Sequence, residues 1–353
     1  MSVVVHGLTK HYGADHAPAV SDVTFQAPTG GITALLGPSG AGKSTVLRAI
    51  AGLERVDAGN IIIEGQDCSN TRIQDRNVGF VFQNYALFDH MTVADNVGFG
   101  LRIRGRSRMN INQRVTELLE LIQLPEMRRR FPAELSGGQR QRVAFARALA
   151  VEPKVLLLDE PFGALDIKVR VELREWLRKL HDEIRITTLL VTHDQLDAFE
   201  VAEHVVVLFD GQVAQAGAPH TIYDKPVTSR VAQFIGGGNM MATGAQATRT
   251  QTALRDSGHP HTSDQQGQVQ VLVRPQDLRL AKPTQETPVE ELGIVVQLRR
   301  VGGYMKVTVR LADGQHVEVE CTKSQLDELG IEQGDRVHVD VREAKVFVND
   351  HAV

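Results

Sequence analysis

The chain has few cysteines and tryptophans and no long apolar run. Its 353 residues include 2 cysteines and 1 tryptophan, and aromatic residues make up 5% of the sequence. Cys68 and Cys321 are too few for a disulfide framework, which favours a reducing compartment. The apolar runs, such as residues 205–209, have the length of strands. Because a membrane-spanning helix needs about 20 apolar residues, we expect no membrane span.

Neither sign of charge is in large excess. The 39 basic and 43 acidic side chains give a net charge of -4. This balance argues against binding to nucleic acid through bulk charge, which requires a clustered basic excess. The arginines of residues 102–108 and 128–130 fit a solvated helical face better than a contact with anionic lipid. Residues 1–9 lack a basic start followed by an apolar core, so we expect no signal peptide. The sequence predicts a soluble chain of about two domains.

Strands and helices alternate over about residues 1–235. Four continuous apolar runs predict strands that are buried on both faces, as in a parallel sheet covered by helices. They are residues 32–36, 155–158, 188–191 and 205–209. Apolar residues at helical spacing in 115–122 and 169–182 predict amphipathic helices between the strands. This order indicates an α/β fold.

The pattern changes after residue 235. Gly236-Gly237-Gly238-Asn239 begins a polar stretch that predicts a linker over 236–267. Residues 268–353 alternate apolar and polar side chains, which predicts a small all-β domain, a sandwich or a barrel. An Asp-Gly turn within 307–320 predicts a hairpin. Residues 337–341 and 345–348 are predicted to form another pair of strands.

A phosphate-binding motif follows the first apolar run. Gly37-Pro38-Ser39-Gly40-Ala41-Gly42-Lys43-Ser44 matches G-x-x-x-x-G-K-[ST] and precedes a helical pattern that begins near Thr45. The glycines let backbone N–H groups curl around a phosphate, and the helix N-terminus adds positive charge. Lys43 can reach the β- and γ-phosphates, and the Ser44 hydroxyl can bind Mg²⁺. Motif and context together disfavour the alternative of a glycine-rich turn that binds nothing.

Two carboxylates follow the second apolar run. Asp159 and Glu160 stand where a buried strand ends, which is the ligand-binding edge of an open α/β sheet. We expect Asp159 to hold Mg²⁺ and Glu160 to polarise the attacking water. A pair of solvated loop acids is the alternative for these two residues taken alone. The phosphate-binding motif makes the catalytic interpretation the stronger one.

Leu135-Ser136-Gly137-Gly138-Gln139 resembles the signature of the ATP-binding cassette (ABC) ATPases. The resemblance covers about residues 1–235 and implies a nucleotide-binding domain with a helical subdomain. It implies that Ser136, Gly138 and Gln139 contact the γ-phosphate held by a second protomer. It also implies four further roles: Tyr12 stacks on adenine, Gln83 senses Mg²⁺ and water, Ala164-Leu165-Asp166 crosses the dimer interface, and His193 is a switch beside the γ-phosphate. Tyr12 or His193 alone would be an ordinary packing or surface residue, but their joint order and spacing favour the resemblance.

Further stretches of the sequence resemble the importers within this family. They lie in the C-terminal residues and around the stretch after Gln83. Val273-Arg274-Pro275-Gln276-Asp277 resembles an element of the small OB-like, TOBE-type domain of bacterial importer ATPases, which implies a β-barrel-like regulatory domain over 268–353. Residues 79–93 and 176–183 resemble the sulfate/thiosulfate importer ATPases. Leu196 departs from many importers, which have an acidic residue there, and leaves the mechanism unchanged.

The implied function is an energy-coupling ATPase. Two copies would sandwich two ATP molecules with Mg²⁺ and drive two transmembrane permease subunits at the cytoplasmic face of the inner membrane, served indirectly by a solute-binding protein. Residues 85–88 would form the groove for the permease, with ordinary core packing as the alternative. Another oxyanion, a polyamine, iron or a sugar remains open as cargo. A soluble ABC factor acting on nucleic acid or ribosomes is disfavoured, because the chain has one cassette and an acidic balance.

Overall fold

The computed structural model describes residues 2–13, 17–163, 165–242, 269–284, 287–288 and 292–352. Contacts between residues divide the chain into two units, Met1–Thr221 and Ile222–Val353. Residues 222–235, which the sequence assigns to the ATPase domain, therefore make their contacts mainly within the second unit. The bounds of the two domains predicted from the sequence, 1–235 and 268–353, stay a prediction.

The described part of the first unit contains two sheets and the longer helices. Its strands are β1 (Val3–Lys10), β2 (Val20–Ala27), β3 (Ile32–Leu36), β4 (Ala58–Ile63), β5 (Gln66–Asp67), β6 (Val78–Val81), β7 (Val155–Asp159), β8 (Thr187–Thr192), β9 (His204–Phe209) and β10 (Gln212–Gly217). Its helices are α1 (Lys43–Ala51), α2 (Val93–Ile103), α3 (Arg108–Leu121), α4 (Gly137–Leu149), α5 (Ile167–Ile184) and α6 (Gln195–Val201), and α7 (Pro219–Asp224) crosses the boundary between the units.

The larger sheet confirms the predicted α/β fold. Its strand order is β10-β9-β3-β8-β7-β6, and all neighbours except β10 and β9 are parallel. Every residue of β3, β7 and β8 is buried, which explains why these strands are continuous apolar runs in the sequence. Because parallel strands point the same way, the motifs that follow β3, β7 and β8 all emerge at one edge of the sheet.

The smaller sheet and α1 share an apolar core with the larger sheet. The smaller sheet has the order β2-β1-β4-β5 and is antiparallel. Val5 of β1 and Leu47 of α1 belong to the same buried cluster as Leu35, Leu157 and Leu189 of the larger sheet. The helix that starts at the phosphate loop is therefore fixed by apolar contacts along its length.

Helices α2, α3 and α4 pack together as a helical subdomain. The buried face of α3 contains Val115, Leu118 and Leu119, the residues whose spacing predicts the helix. Phe145 of α4 meets Trp176 of α5 edge to face, with ring centroids 5.2 Å apart. In the described residues, no helix is both long enough and apolar enough to cross a membrane.

The described part of the second unit is mainly antiparallel sheet, as predicted. Its elements are α8 (Ser229–Phe234), β11 (Asn239–Ala242), β12 (Val269–Val273), β13 (Leu278–Ala281), β14 (Leu292–Val301), β15 (Tyr304–Arg310), β16 (His316–Cys321), α9 (Lys323–Leu329), β17 (Arg336–Val341), β18 (Lys345–Val348) and β19 (His351–Ala352). The strands form two sheets with the orders β11-β12-β18-β19 and β13-β17-β14-β15-β16. Valines from both sheets, among them Val271, Val307 and Val337, share one core.

One predicted strand pair of this unit is confirmed and one is wrong. The hairpin of β15 and β16 pairs Val307 with Val319 around the Asp-Gly turn, where Gly314 has a φ of 87°. Strands β17 and β18 do not pair with each other: β17 pairs with β13 and β14, and β18 with β12 and β19. The short connection between them turns from one sheet to the other, which lets Val339 and Val346 face the same core.

The predicted linker over 236–267 is partly a strand. Residues 239–242 form β11, which pairs with β12. Residues 243–267 lie outside the described part of the chain. The polar composition that predicts a linker therefore applies at most to the residues after β11.

Candidate functional site

The phosphate loop connects β3 to α1 and needs its glycines for two different reasons. A Cβ at Gly37 would lie 2.2 Å from the Leu208 carbonyl oxygen, and one at Gly42 would lie 2.6 Å from the Ala19 carbonyl oxygen. Neighbouring backbone therefore excludes side chains at both ends of the loop. Gly40 has a φ of 84° and no atom within 4 Å of its Cβ position, so the loop backbone is accessible there.

Lys43 lies inside this loop. Its ammonium donates to the carbonyl oxygens of Gly37, at 2.9 Å, and Pro38, at 2.7 Å, and only 5% of the residue is exposed. Burial lowers the pKa of Lys43, while the negative charges of Glu160 and Asp159 oppose the shift. Of the other loop residues, Ser39 is exposed, Ala41 is buried, and Thr45 is half-buried in the first turn of α1.

Asp159 connects the end of β7 to α1. It is 2% exposed, accepts a hydrogen bond from the Ser44 hydroxyl at 2.7 Å, and pairs with the Arg48 guanidinium at 3.2 Å. Arg48 was not among the residues predicted from the sequence. It follows Ser44 by four residues, so the two side chains share one face of α1, and this spacing could have indicated it.

Glu160 is the centre of a group of three side chains. Its carboxylate accepts a hydrogen bond from Gln83 Nε2 at 2.9 Å and lies 3.4 Å from His193 Nδ1. The backbone of Glu160 has a φ of 46°, which is uncommon for a residue with a side chain and costs about 1–3 kcal/mol. The structure therefore brings together three residues that follow three neighbouring strands, β6, β7 and β8.

An ion-pair network that was not predicted from the sequence fixes the segment around His193. Asp197 is buried and accepts hydrogen bonds from Arg170 at 2.9 Å, Arg174 at 2.8 Å and the Thr192 hydroxyl at 3.2 Å. Such a network forms between α5 and α6 and has no local sequence pattern. It anchors the residue directly before His193 to two helices.

Tyr12 follows β1 and is 54% exposed. The Lys10 ammonium lies 5.3 Å from the centroid of its ring and pairs with Glu54 at 3.0 Å. The ring is therefore accessible for stacking. Leu196, the departure from the family pattern, is 62% exposed and follows Asp194, whose side chain caps α6.

The signature residues form a second, separate group. Ser136 caps α4: its hydroxyl accepts from the Gln139 N–H at 3.3 Å, and the Gln139 side chain accepts from the Ser136 N–H at 2.9 Å. A Cβ on Gly138 would lie 2.9 Å from Val169 Cγ1 of α5. Asp166 caps α5 by accepting from the Val169 N–H at 3.1 Å. Ala164 lies outside the described residues.

The first group of residues fits a nucleotide with its magnesium ion. Accessible loop backbone at Gly40, the ammonium of Lys43 and the N-terminus of α1 together suit a phosphate chain. Ser44 and Asp159 place two oxygen ligands side by side. No cluster of three or more His, Cys, Asp or Glu that could hold a metal occurs in the described part of the chain. Few protein ligands are typical of Mg²⁺ held together with substrate phosphates.

Comparisons with known proteins agree with this geometry. Residues 20–163 match the family model for the ABC transporter, and residues 271–348 match the model for the TOBE domain. A protein named sulfate/thiosulfate import ATP-binding protein CysA from Thermosynechococcus vestitus is 47% identical over 348 residues, which are 98% of each chain. A protein of the same name from Bacillus cereus is 44% identical in an alignment of 362 positions that covers 100% of each chain.

A solved structure is also similar. It is the dimeric structure of a post-hydrolysis state of the ATP-binding cassette MJ0796, bound to ADP and Pi. The match has 32% sequence identity and a TM-score of 0.55, and it covers 62% of this chain and 98% of that one.

Proposed function

The chain belongs to the ABC transporter family of ATP-binding proteins, and on that premise we propose that it is the ATPase subunit of a bacterial importer for sulfate or thiosulfate. The observation that carries the ATPase part is the meeting of Gln83, Glu160 and His193 beside the Ser44–Asp159 pair. The observation that supports the cargo is the full-length similarity to relatives that carry this name.

The phosphate loop binds the nucleotide in this proposal. Backbone N–H groups of residues 37 and 39–45 surround the β- and γ-phosphates, and the Lys43 ammonium turns from loop carbonyls to phosphate oxygens. Tyr12 stacks on the adenine. Ser44, Asp159 and Gln83 would hold Mg²⁺, which would supply positive charge to neutralise the phosphates of the nucleotide.

Glu160 acts as the general base. Its carboxylate takes a proton from a water whose oxygen forms a bond to the γ-phosphorus, while the bond from that phosphorus to the bridging oxygen of ADP breaks. Gln83, which already donates to the Glu160 carboxylate, orients this water. His193 contacts the other oxygen of the Glu160 carboxylate and lies at the γ-phosphate side of the site.

A second copy of the chain completes the site. Ser136, Gly138 and Gln139 present the N-terminus of α4, a place that favours an anion, and Asp166 borders the same interface. The similar cassette of known structure is dimeric. Closing of the dimer on ATP and opening after hydrolysis would be the two states that move the partners.

The partners are two permease subunits, which place this chain at the cytoplasmic face of the inner membrane and connect it indirectly to a solute-binding protein. Residues 85–88 are half-buried and begin two positions after Gln83, so they suit a permease contact that affects the position of Gln83 in the site. None of the described residues reads the cargo, and another oxyanion, a polyamine, iron or a sugar is the alternative cargo.

Uptake of radiolabelled sulfate in cells that lack the gene tests this proposal. Wild type should restore uptake and Lys43→Ala should not. Uptake that does not depend on the gene would reject sulfate as the cargo, and the same assay with thiosulfate, molybdate, putrescine, iron and a sugar would then test each of the other cargoes.

A further inference from the structure

Arg147 connects α4 to the loop that follows Gln83. Its guanidinium donates from Nη1 to the Ala86 carbonyl oxygen at 2.6 Å and from Nη2 to the Tyr85 carbonyl oxygen at 3.0 Å. The same guanidinium lies 5.5 Å from the centroid of the Phe88 ring. One side chain of α4 therefore contacts three of the residues that follow Gln83.

The backbone of this loop is unusual where Arg147 holds it. Tyr85 has a φ of 64° and Ala86 a φ of 47°, two successive positive values in residues that have side chains. Such conformations persist where the surroundings fix them. The fork of the guanidinium donates to two neighbouring carbonyl oxygens at once, which the single ammonium of a lysine does not match.

Burial of the positive charge of Arg147 beside this loop costs free energy. Its side chain is partly buried, and burial lowers the pKa of Arg147, a shift that no acidic residue in the described part of the chain opposes. Backbone carbonyl groups and an aromatic face compensate the charge instead of a carboxylate. A side chain that served only to fill space would not require this charge.

Asn96 of α2 fixes the other end of the loop. Its fully buried side chain accepts from the Phe88 N–H at 2.8 Å and donates to the Phe88 carbonyl oxygen at 3.1 Å. The loop is thus held by α2 at Phe88 and by α4 at Tyr85 and Ala86. Gln83 lies just before the part that Arg147 holds.

We propose that Arg147 is a positioning residue: it fixes the loop at Tyr85 and Ala86 to α4 and so holds Gln83 against Glu160. Because Ser136 caps the N-terminus of α4, the same contact makes the loop and the signature end of α4 move together. This inference rests on the proposed roles of Gln83, Glu160 and Ser136 in ATP hydrolysis.

Arg147→Met tests the inference on the full chain, with Arg142→Met as the matched control. Arg142 is also a partly buried arginine of α4 above an aromatic ring, 5.2 Å from the centroid of Trp176, and burial lowers its pKa too. Its aromatic partner belongs to α5 rather than to the loop. The measurements are amide hydrogen exchange at residues 84–88 and the kcat and KM for ATP.

We expect Arg147→Met to exchange these amides about tenfold faster and to lower kcat about tenfold with a nearly unchanged KM. Arg142→Met should leave exchange at residues 84–88 and kcat as in wild type. Arg147→Lys keeps the charge but not the fork, so its amides at residues 84–88 should exchange as fast as those of Arg147→Met. It replaces Arg147→Met in the test if Arg147→Met does not fold.

Unchanged loop exchange in Arg147→Lys or Arg147→Met would overturn the inference. Equal losses of kcat in Arg147→Met and Arg142→Met would also overturn it, because they would indicate general damage to α4. The exchange measurement does not depend on hydrolysis. A failure of Glu160 or Gln83 in their proposed roles is therefore distinguishable from a failure of the Arg147 contact.

Discussion

The two halves of the candidate site differ in how the chain builds them. In the phosphate-loop half, side chains that are distant in sequence meet: Ser44 and Asp159 are 115 residues apart, and Gln83 and Glu160 are 77 apart. In the signature half, the contacts are local, since Ser136 and Asp166 each cap their own helix through a residue three positions later.

The contrast between distant and local contacts indicates which half depends on a second copy of the chain. Folding of one chain already joins Lys43, Ser44 and Asp159 at one edge of the sheet, so nucleotide binding is expected of a single copy. The caps at Ser136 and Asp166 form two helix N-termini. These N-termini do not by themselves complete a binding site. Hydrolysis is therefore expected to require a second copy, and substitutions in the two halves should separate the two activities.

Lys43→Ala should have the largest effect, because it acts on the half that one chain completes and removes both ATP binding and the hydrolysis that depends on it. Loss of the ammonium removes a charge-assisted contact to phosphate, and we expect ATP affinity to fall about 100-fold or more. Titration calorimetry measures it. Lys154→Ala, an exposed lysine before β7, is the control and should bind as wild type. An unchanged affinity of Lys43→Ala would contradict the role of the phosphate loop.

Glu160→Gln should separate binding from hydrolysis within the same half. Removal of the general base should lower the hydrolysis rate about 10²–10⁴-fold, with ATP affinity nearly kept and the ATP-bound dimer retained in gel filtration. Glu152→Gln makes the same change at another glutamate with a positive φ, 51°, and should hydrolyse normally. A Glu160→Gln protein that stays monomeric with ATP would count against the account.

Ser136→Arg tests the other half. The arginine should block the partner's γ-phosphate and abolish hydrolysis, while ATP binding by one chain stays normal. It also removes a helix cap, which costs about 1 kcal/mol of the free energy of unfolding. Ser107→Arg removes the equivalent cap of α3, where the Ser107 hydroxyl accepts from the Asn110 N–H, and should hydrolyse normally. Joint loss of binding and hydrolysis in Ser136→Arg would contradict a site shared between copies.

The smallest expected effect is a pH dependence confined to the phosphate-loop half. Because burial lowers the pKa of Lys43 below its usual 10.5, the ammonium loses its proton earlier as pH rises. ATP affinity should therefore decrease from neutral pH towards 10.5, equally in wild type and Ser136→Arg. Over the same window this lysine adds stability as pH rises, because the unfolded chain binds its proton more tightly. Calorimetry that shows a flat affinity would reject this effect.

The sequence predicts the halves unequally well. Buried parallel strands are continuous apolar runs, so β3, β7 and β8 and the edge where Lys43, Asp159 and Glu160 lie could be predicted from local pattern. The Asp-Gly hairpin of β15 and β16 is equally local.

Contacts between distant elements could not be predicted in this way. Arg147 donates to a carbonyl group of a loop 61 residues away in sequence, and Asp197 of α6 accepts hydrogen bonds from arginines of α5. The error at β17 and β18 has the same origin: a short connection suggests a hairpin, but the shared core of two sheets separates the strands. Local pattern reports burial and turns, whereas pairing across elements depends on the whole fold.

A mixture of equal amounts of Lys43→Ala and Ser136→Arg chains tests the shared site most directly. Each variant alone should be inactive in ATP hydrolysis. In a mixed dimer, the intact phosphate loop of the Ser136→Arg chain meets the intact signature of the Lys43→Ala chain, so one of two sites works. Random pairing then predicts about a quarter of wild-type activity. A mixture as inactive as its components would contradict the account, because it would mean that one chain must supply both halves.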